Sequence, residues 1–141
     1  MYNIYDSWGY TLSKIAQKLN ENFTERLSMY NIDSREYGAL SIVYDTPRLT
    51  QKEIGEKMVV DRTTMVQLID SLESKELITR ESNPKDRRQN LISLTKKGQE
   101  IVEKMWIELE QVEKEVIKTL PTVQKEILES INTYIKENEN E

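Results

Sequence analysis

The sequence predicts a mainly α-helical protein with one small β-hairpin in its second half. Apolar residues recur at steps of three and four along most of the 141 residues, which is the period of a helix. Four glycines and three prolines interrupt that pattern rarely, and the period changes only near residue 77. A chain of this length is expected to form one domain, residues 1–141.

The first helix is predicted over residues 7–29. Its apolar residues fall at helical spacing and form one long face: Trp8, Leu12, Ile15, Ala16, Leu19, Phe23 and Leu27. A second helix is predicted to begin at Asp33 or Ser34, where Glu36 is placed to complete a capping box. It should end near Tyr44, because Asp-Thr-Pro follows.

Two short helices joined by a tight turn come next. Thr50 and Glu53 have the spacing of a capping box, which predicts a helix over residues 51–58. Asp61 can cap a further helix that runs to about Lys75. The inner face of that helix is predicted to consist of Met65, Leu68, Ile69 and Leu72.

A β-hairpin is predicted after the fourth helix. Residues 77–80 and 91–94 have the composition of short strands, and Asn83-Pro84 marks a turn between them. The hairpin region is strongly basic, since residues 80–97 hold six basic and two acidic side chains, whereas the whole chain carries a net charge of −5. Positive charge is therefore concentrated locally, and local field is what a binding partner meets.

Two long helices are predicted to complete the chain. Thr95 can cap the first, which should reach Leu120 with apolar positions at Ile101, Val102, Met105, Trp106, Leu109, Val112 and Val116. Pro121 is then predicted to interrupt the helical pattern. The apolar positions predicted for the last helix are Val123, Ile127, Leu128, Ile131 and Ile135, and a polar tail follows from residue 136 to residue 141.

The composition excludes several classes of function. The chain has no cysteine and no histidine, which removes thiolate nucleophiles, imidazole bases, disulfides and the usual zinc ligands. We therefore expect no enzyme activity, no cofactor and no metal. The N-terminus lacks the features of a secretion signal and no apolar run could span a bilayer, so a cytoplasmic location without membrane contact is expected.

The predicted order of short helix, capped helix and hairpin describes a helix-turn-helix followed by a wing. Such a unit places its second short helix in the major groove of double-stranded DNA. The outer face of that helix presents five candidate contact residues: Arg62, Thr63, Thr64, Val66 and Gln67. Arginine can pair with guanine, glutamine with adenine, and threonine with phosphate or a thymine methyl.

Three segments resemble the MarR family of bacterial winged helix-turn-helix transcriptional regulators: LTQKEIGEKM, DRTTMVQLIDSLESKELI and NPKDRRQNLISLTKKG. The last matches the family's Asp-x-Arg, second wing strand and Leu-Thr-x-x-Gly. The resemblance implies that Arg88 enters the minor groove while Asp86 holds the wing in shape. A narrow groove attracts an inserted guanidinium. Arg87 and Lys85 would then contact phosphates and contribute salt sensitivity.

Two positions depart from the family pattern. Glu76 stands where many relatives have glycine, so the exit from the fourth helix is expected to close differently. Gly55 stands where alanine is common, and either close helix approach or simple tolerance explains it. Lys96 and Lys97 are weaker candidates for DNA contact, because they can equally be solvated residues of a first helical turn.

The long apolar faces of the terminal helices exceed what a small lobe can cover, which favours a homodimer. The resemblance implies that residues 1–32 and 99–141 form the dimer interface, while residues 33–98 form the DNA-binding lobe. The operator would be pseudo-palindromic. The protein would act as a ligand-responsive repressor.

In the family, a small aromatic acid or phenol often binds between the dimer helices and the lobe. Here the candidate pocket residues are Trp8, Tyr10, Tyr37, Tyr44, Met105 and Trp106, although an aromatic residue at helical spacing more often belongs to the core. The lack of cysteine excludes the thiol-oxidation switch of one branch of the family.

Two alternatives stay open. The first is a protein-interaction module whose acidic helices bind another polypeptide while the winged lobe is vestigial. The second is an enzyme that works through paired carboxylates or a lysine. DNA binding separates the first from the regulator, and a buried pair of carboxylates would favour the second.

Overall fold

A computed structural model of the protein describes residues 1–118 and 122–139. A short 3-10 helix, Ile4–Asp6, comes first. The other elements follow in this order: α1 (Trp8–Ser28), α2 (Ser34–Asp45), β1 (Leu49–Thr50), α3 (Gln51–Met58), α4 (Arg62–Ser74), β2 (Ile78–Asn83), β3 (Asp86–Leu94), α5 (Lys96–Ile117) and α6 (Thr122–Asn138). The fold class is therefore the one predicted, mainly helical with a small antiparallel sheet. The predicted helix end at Leu120, the interruption at Pro121 and the side chain of Val123 lie outside the described residues.

Polar caps fix where the helices begin. Thr50 Oγ1 accepts a hydrogen bond from Glu53 N at 3.2 Å, and Glu53 Oε2 accepts one from Thr50 N at 2.7 Å. Asp33 and Glu36 form the same reciprocal pair at the start of α2. Each pair satisfies two backbone N–H groups that the first helical turn leaves without partners. The predicted bounds of α3 agree with the observed ones for this reason.

The hairpin is longer than the sequence predicted. Strands β2 and β3 continue past residues 80 and 91 to a tight turn, with Asn83 opposite Asp86. Prediction stopped short because the outer half of the hairpin is polar on both faces and shows no alternation of apolar and polar residues. Strand β1 was not predicted, since its two residues owe their conformation to pairing of Leu49 with Ile92.

One apolar core holds the lobe to the long helices. Phe23 and Leu27 on α1 pack with residues of α2, α3, α4 and α5. The largest fully buried side chains are Leu27, Leu40, Ile54, Met65, Ile69, Leu72, Leu77, Ile92, Met105, Val43 and Val112. The four predicted inner residues of α4 are all buried. The outer face of α4 is thus supported from beneath by the core.

Two glycines mark close approaches of the backbone. A Cβ on Gly98 would lie 2.1 Å from the carbonyl oxygen of Leu77, so no larger residue fits where α5 begins. This contact explains the glycine of the Leu-Thr-x-x-Gly segment. A Cβ on Gly55 would lie 3.2 Å from Met65 Cγ, which favours the close approach of α3 and α4 over simple tolerance.

Several apolar side chains remain uncovered in the single chain. Trp8 is 72% exposed and Leu12 is 39% exposed on α1, and α6 exposes Ile127, Ile131 and Ile135. Among the apolar positions predicted for α5, Ile101, Val102 and Met105 are buried, whereas Trp106 is 57% exposed. None of the helices that the structure describes is long and apolar enough to cross a membrane.

Candidate nucleic-acid interface

The N-terminal half of α4 presents its polar residues outward. Arg62, Thr63, Val66 and Gln67 are exposed, as predicted for a recognition helix. Thr64 differs, because its hydroxyl donates to Asp61 Oδ2 at 2.8 Å while its amide donates to Asp61 Oδ1 at 2.9 Å. These bonds lower the pKa of Asp61. Thr64 therefore contributes to the cap, and Thr63 is the better placed of the two threonines for contact with DNA.

The wing tip is shaped by two side-chain turns. Lys85 N donates to Asn83 Oδ1 at 3.0 Å, and Arg88 N donates to Asp86 Oδ1 at 3.1 Å. The Arg88 guanidinium is held loosely, since its Nε lies 3.7 Å from Asp86 Oδ1 and 94% of the side chain is exposed. Asp86 thus fixes the backbone of the tip and leaves the arginine extended into solvent.

A single concave surface joins the recognition helix to the wing. Arg62 from α4 and Arg88 from β3 both line this concavity, which encloses about 980 Å³. Five polar residues that the sequence did not single out line it as well: Gln51, Lys52, Glu56, Gln89 and Asn90. These residue types form no distinctive motif. The pairing of β3 with β1 brings Gln89 and Asn90 beside the start of α3. Gln67 is exposed on α4 outside this concavity.

An ion-pair cluster ties the wing to α4. The Arg80 guanidinium on β2 contacts Asp70, and its Nε lies 3.3 Å from Glu73 Oε2 without hydrogen-bond geometry. The Arg80 side chain is 24% exposed, so its attraction to the two carboxylates is screened less than that of a surface pair. This cluster fixes the direction of β2 relative to α4.

A buried carboxylate ties the other end of α4 to α2. Glu36 is 3% exposed and accepts bonds from Lys75 Nζ at 2.8 Å and Ser71 Oγ at 2.6 Å. Burial by itself raises the pKa of Glu36, but the bonds from Lys75, Ser71 and Asp33 outweigh it and hold that pKa below its ordinary value. Helix α4 is therefore fastened at its C-terminal end by a charged, hydrogen-bonded group.

The wing and helix-turn-helix geometry agrees with the comparisons. The profile of the MarR family matches residues 32–89, which cover α2, α3, α4 and most of the wing. This part of the chain is similar to the MarR family. Its fold is also similar to the crystal structure of the reduced form of MarR from Escherichia coli, with a TM-score of 0.82 and 26% identity over 92% of this chain and 96% of that one.

Two curated relatives of the chain come from Bacillus subtilis. The chain is 26% identical to the HTH-type transcriptional regulator MhqR over 62% of its own length, and 32% identical to the organic hydroperoxide resistance transcriptional regulator over 63%. In both comparisons the match spans 60% of the length of the relative.

The six candidate pocket residues do not all lie in one cavity. Tyr37, Tyr44 and Trp106 line one cavity of about 470 Å³ between α2 and α5. Met105 is fully buried in the core, and Trp8 is exposed near the start of α1. Tyr10 lines a different hollow with Tyr5 and Val116. Aromatic side chains alone could not predict this division, because it depends on which helix faces which.

Proposed function

We propose that this protein is a sequence-specific regulator of transcription that binds double-stranded DNA as a homodimer. The proposal assigns residues 33–98 to the DNA-binding lobe, and residues 1–32 and 99–141 to dimerisation. Repression by blocking a promoter is the simplest mode of action for such a protein. Most of the curated relatives in the comparison carry names of transcriptional regulators, in keeping with the proposal.

One observation carries the proposal: Arg62 and Arg88 line the same concavity, although they come from different elements. A duplex that entered this surface would meet α4 in its major groove and the wing at the adjacent backbone or minor groove. Arg62 and Gln67 are assigned to base edges, and Thr63 and Val66 to phosphate and a thymine methyl. Thr64 supports them through the cap.

The wing is assigned a different role from the helix. An exposed guanidinium such as that of Arg88 suits the negative potential of a narrow minor groove. Lys85 and Arg87 are assigned to phosphates, where they add affinity that depends on salt. Asp86 contributes by holding the backbone of the tip. The local charge of the wing thus overcomes the negative charge of the chain as a whole.

The uncovered apolar faces support the dimer. Trp8 and Leu12 on α1 and the Ile127, Ile131 and Ile135 stripe on α6 are exposed in one chain. Burying each aliphatic side chain is worth on the order of 1.5–3 kcal/mol, so a second copy gains much by covering them. Two lobes related by a two-fold axis would read half-sites about 34–36 Å apart on a pseudo-palindromic operator.

The cavity between α2 and α5 is proposed as the effector site. It lies between a helix of the lobe and a helix assigned to dimerisation, so an occupant would change the angle between them. Of the candidates, Tyr37, Tyr44 and Trp106 are assigned to this site. Met105 supports it from the core, and Trp8 and Tyr10 have no assignment there.

Selection of bound fragments from random DNA tests the proposal. The expected result is one enriched sequence with two inverted half-sites whose centres lie about one helical turn apart. Enrichment without a motif, or with one unpaired half-site, would contradict the sequence-specific dimer. Absence of any retained DNA at low salt would favour the interaction module with a vestigial winged lobe.

A further inference from the structure

The cavity between α2 and α5 has an acidic and aromatic lining. Its residues are Tyr37, Ser41, Tyr44, Asp45, Val102, Glu103 and Trp106. At about 470 Å³ it is large enough for a small organic molecule, since ligand pockets typically enclose roughly 300–1,000 Å³. Two carboxylates and no basic side chain are present in this lining, as far as the structure describes the chain.

The two carboxylates keep their charge uncompensated. Glu103 Oε1 accepts hydrogen bonds from Tyr44 Oη at 3.2 Å and Gln99 Nε2 at 3.0 Å, both of which are neutral donors. Asp45 Oδ2 accepts one from the Thr46 hydroxyl at 3.2 Å. No ion pair involves either acid within residues 1–118 and 122–139. The cavity therefore has a negative potential that favours a positive occupant.

The aromatic side chains add to this preference. A ring face carries partial negative charge and attracts an ammonium group, most strongly when water is excluded. Trp106 is held in place, because its Nε1 donates to Glu110 Oε1 at 3.2 Å. Tyr44 is likewise fixed by its bond to Glu103. Two oriented rings thus accompany the carboxylates.

A buried hydroxyl points to an occupant independently of the charges. Tyr37 is 9% exposed, and its hydroxyl has no hydrogen-bond partner among the described residues. Burial raises the pKa of Tyr37; the nearby Ser41 hydroxyl offsets part of the rise without reaching hydrogen-bond geometry, and the charge of Glu113 adds to the rise. A buried polar group without a partner is costly, and an occupant with a hydrogen-bonding group would relieve that cost.

We propose that this cavity binds a small organic cation, a protonated or quaternary amine on an aromatic body. The inference rests on the effector site of the proposed function and names its class of ligand. It runs against the aromatic acids and phenols that the family resemblance implied. An anion placed here would meet Asp45 and Glu103 with no basic side chain of the lining to offset them.

Calorimetric titration of the DNA-free protein tests the inference with two probes of similar size, benzyltrimethylammonium and benzoate. The expected result is that the cation binds at least about tenfold more tightly than benzoate. The double variant Asp45→Asn/Glu103→Gln should lose about tenfold in affinity for the cation. Glu100→Gln is the matched control, because it removes a charge from α5 outside the cavity and should change nothing.

Stronger binding of benzoate would overturn the inference, as would unchanged affinity of the double variant for the cation. Trp106→Ala is a second test if the double variant unfolds. Because the Trp106 side chain is exposed, the fold should tolerate its removal, and its loss should weaken binding of the cation. The titration contains no DNA, so it fails or succeeds independently of the proposed regulator function.

Discussion

Arg80 Nε on β2 lies 3.3 Å from Glu73 Oε2 on α4, and the same guanidinium contacts Asp70 one turn earlier. The wing and the recognition helix are thus joined directly by side chains as well as through the core. Arg62 and Arg88 can line the same concavity only while the angle between the wing and α4 is kept. Arg80 acts at a distance from the proposed DNA contacts, as a positioning residue.

Replacing Arg80 tests this link. Arg80→Met should lower operator affinity by roughly tenfold and the free energy of unfolding by about 1 kcal/mol, since the pair is partly exposed. Arg48→Met is the matched control: it removes the same charge from a more exposed pair with Glu81 on the same sheet. Anisotropy titration and urea unfolding measure the two effects. Equal loss of affinity in both variants would show a charge effect instead of positioning.

The turn after α4 contains a strained residue. Glu76 has φ of 59°, a left-handed conformation that costs a residue with a Cβ roughly 1–2 kcal/mol, whereas glycine adopts it freely. Glu76→Gly should therefore raise the free energy of unfolding by about 0.5–1 kcal/mol in urea titrations. Glu76→Ala removes the same charge but keeps the Cβ, so it should show no such gain. A gain in both variants would assign the effect to charge.

The buried Glu36 should give a pH dependence. The pKa of Glu36 is lower in the folded state than in the unfolded one. Its contribution to the free energy of unfolding is therefore complete above the unfolded pKa and is lost as pH falls through the folded pKa. Glu36→Gln should cost about 2 kcal/mol at pH 7, because Lys75 loses its partner. The difference between wild type and variant should shrink as pH falls below about 4.5 in urea titrations. A difference that stays constant down to pH 3 would contradict the assignment.

The apolar stripe on α6 tests the dimer. Ile131→Glu places a charge in the proposed interface and should shift the protein from dimer to monomer in sedimentation equilibrium, with loss of binding to a two-half-site operator. Asn132→Glu adds the same charge at the neighbouring exposed position and should leave the dimer intact. A dimeric Ile131→Glu variant would place the interface elsewhere.

Local chemistry made much of the fold predictable. The capping box of Thr50 and Glu53 is contained in four consecutive residues, and it specifies where α3 begins. The spacing of Met65, Leu68, Ile69 and Leu72 specifies the buried face of α4. The polar half of the wing and the two residues of β1 depend on pairing between distant segments. Such pairing leaves no periodic signal in a single strand.

The candidate sites were predictable to different degrees. Arg62 and Arg88 could be selected because a helix-turn-helix and a basic hairpin have recognisable local patterns. The residues that fasten these parts, Arg80 and Lys75, look like ordinary surface charges until their partners are located. Glu103 and Asp45 escaped notice for the same reason, because the negative cavity exists only once α2 faces α5.

The central claim is that the recognition helix and the wing contact one duplex together, and a salt titration of Arg88→Ala measures it most directly. With a selected operator, the variant should bind much more weakly than wild type. The magnitude of the slope of log affinity against log salt concentration should fall by about 1, the amount expected for the loss of one phosphate contact. Lys18→Ala, a charge lost from α1 outside the lobe, should match wild type. Unchanged affinity and slope for Arg88→Ala would contradict the account.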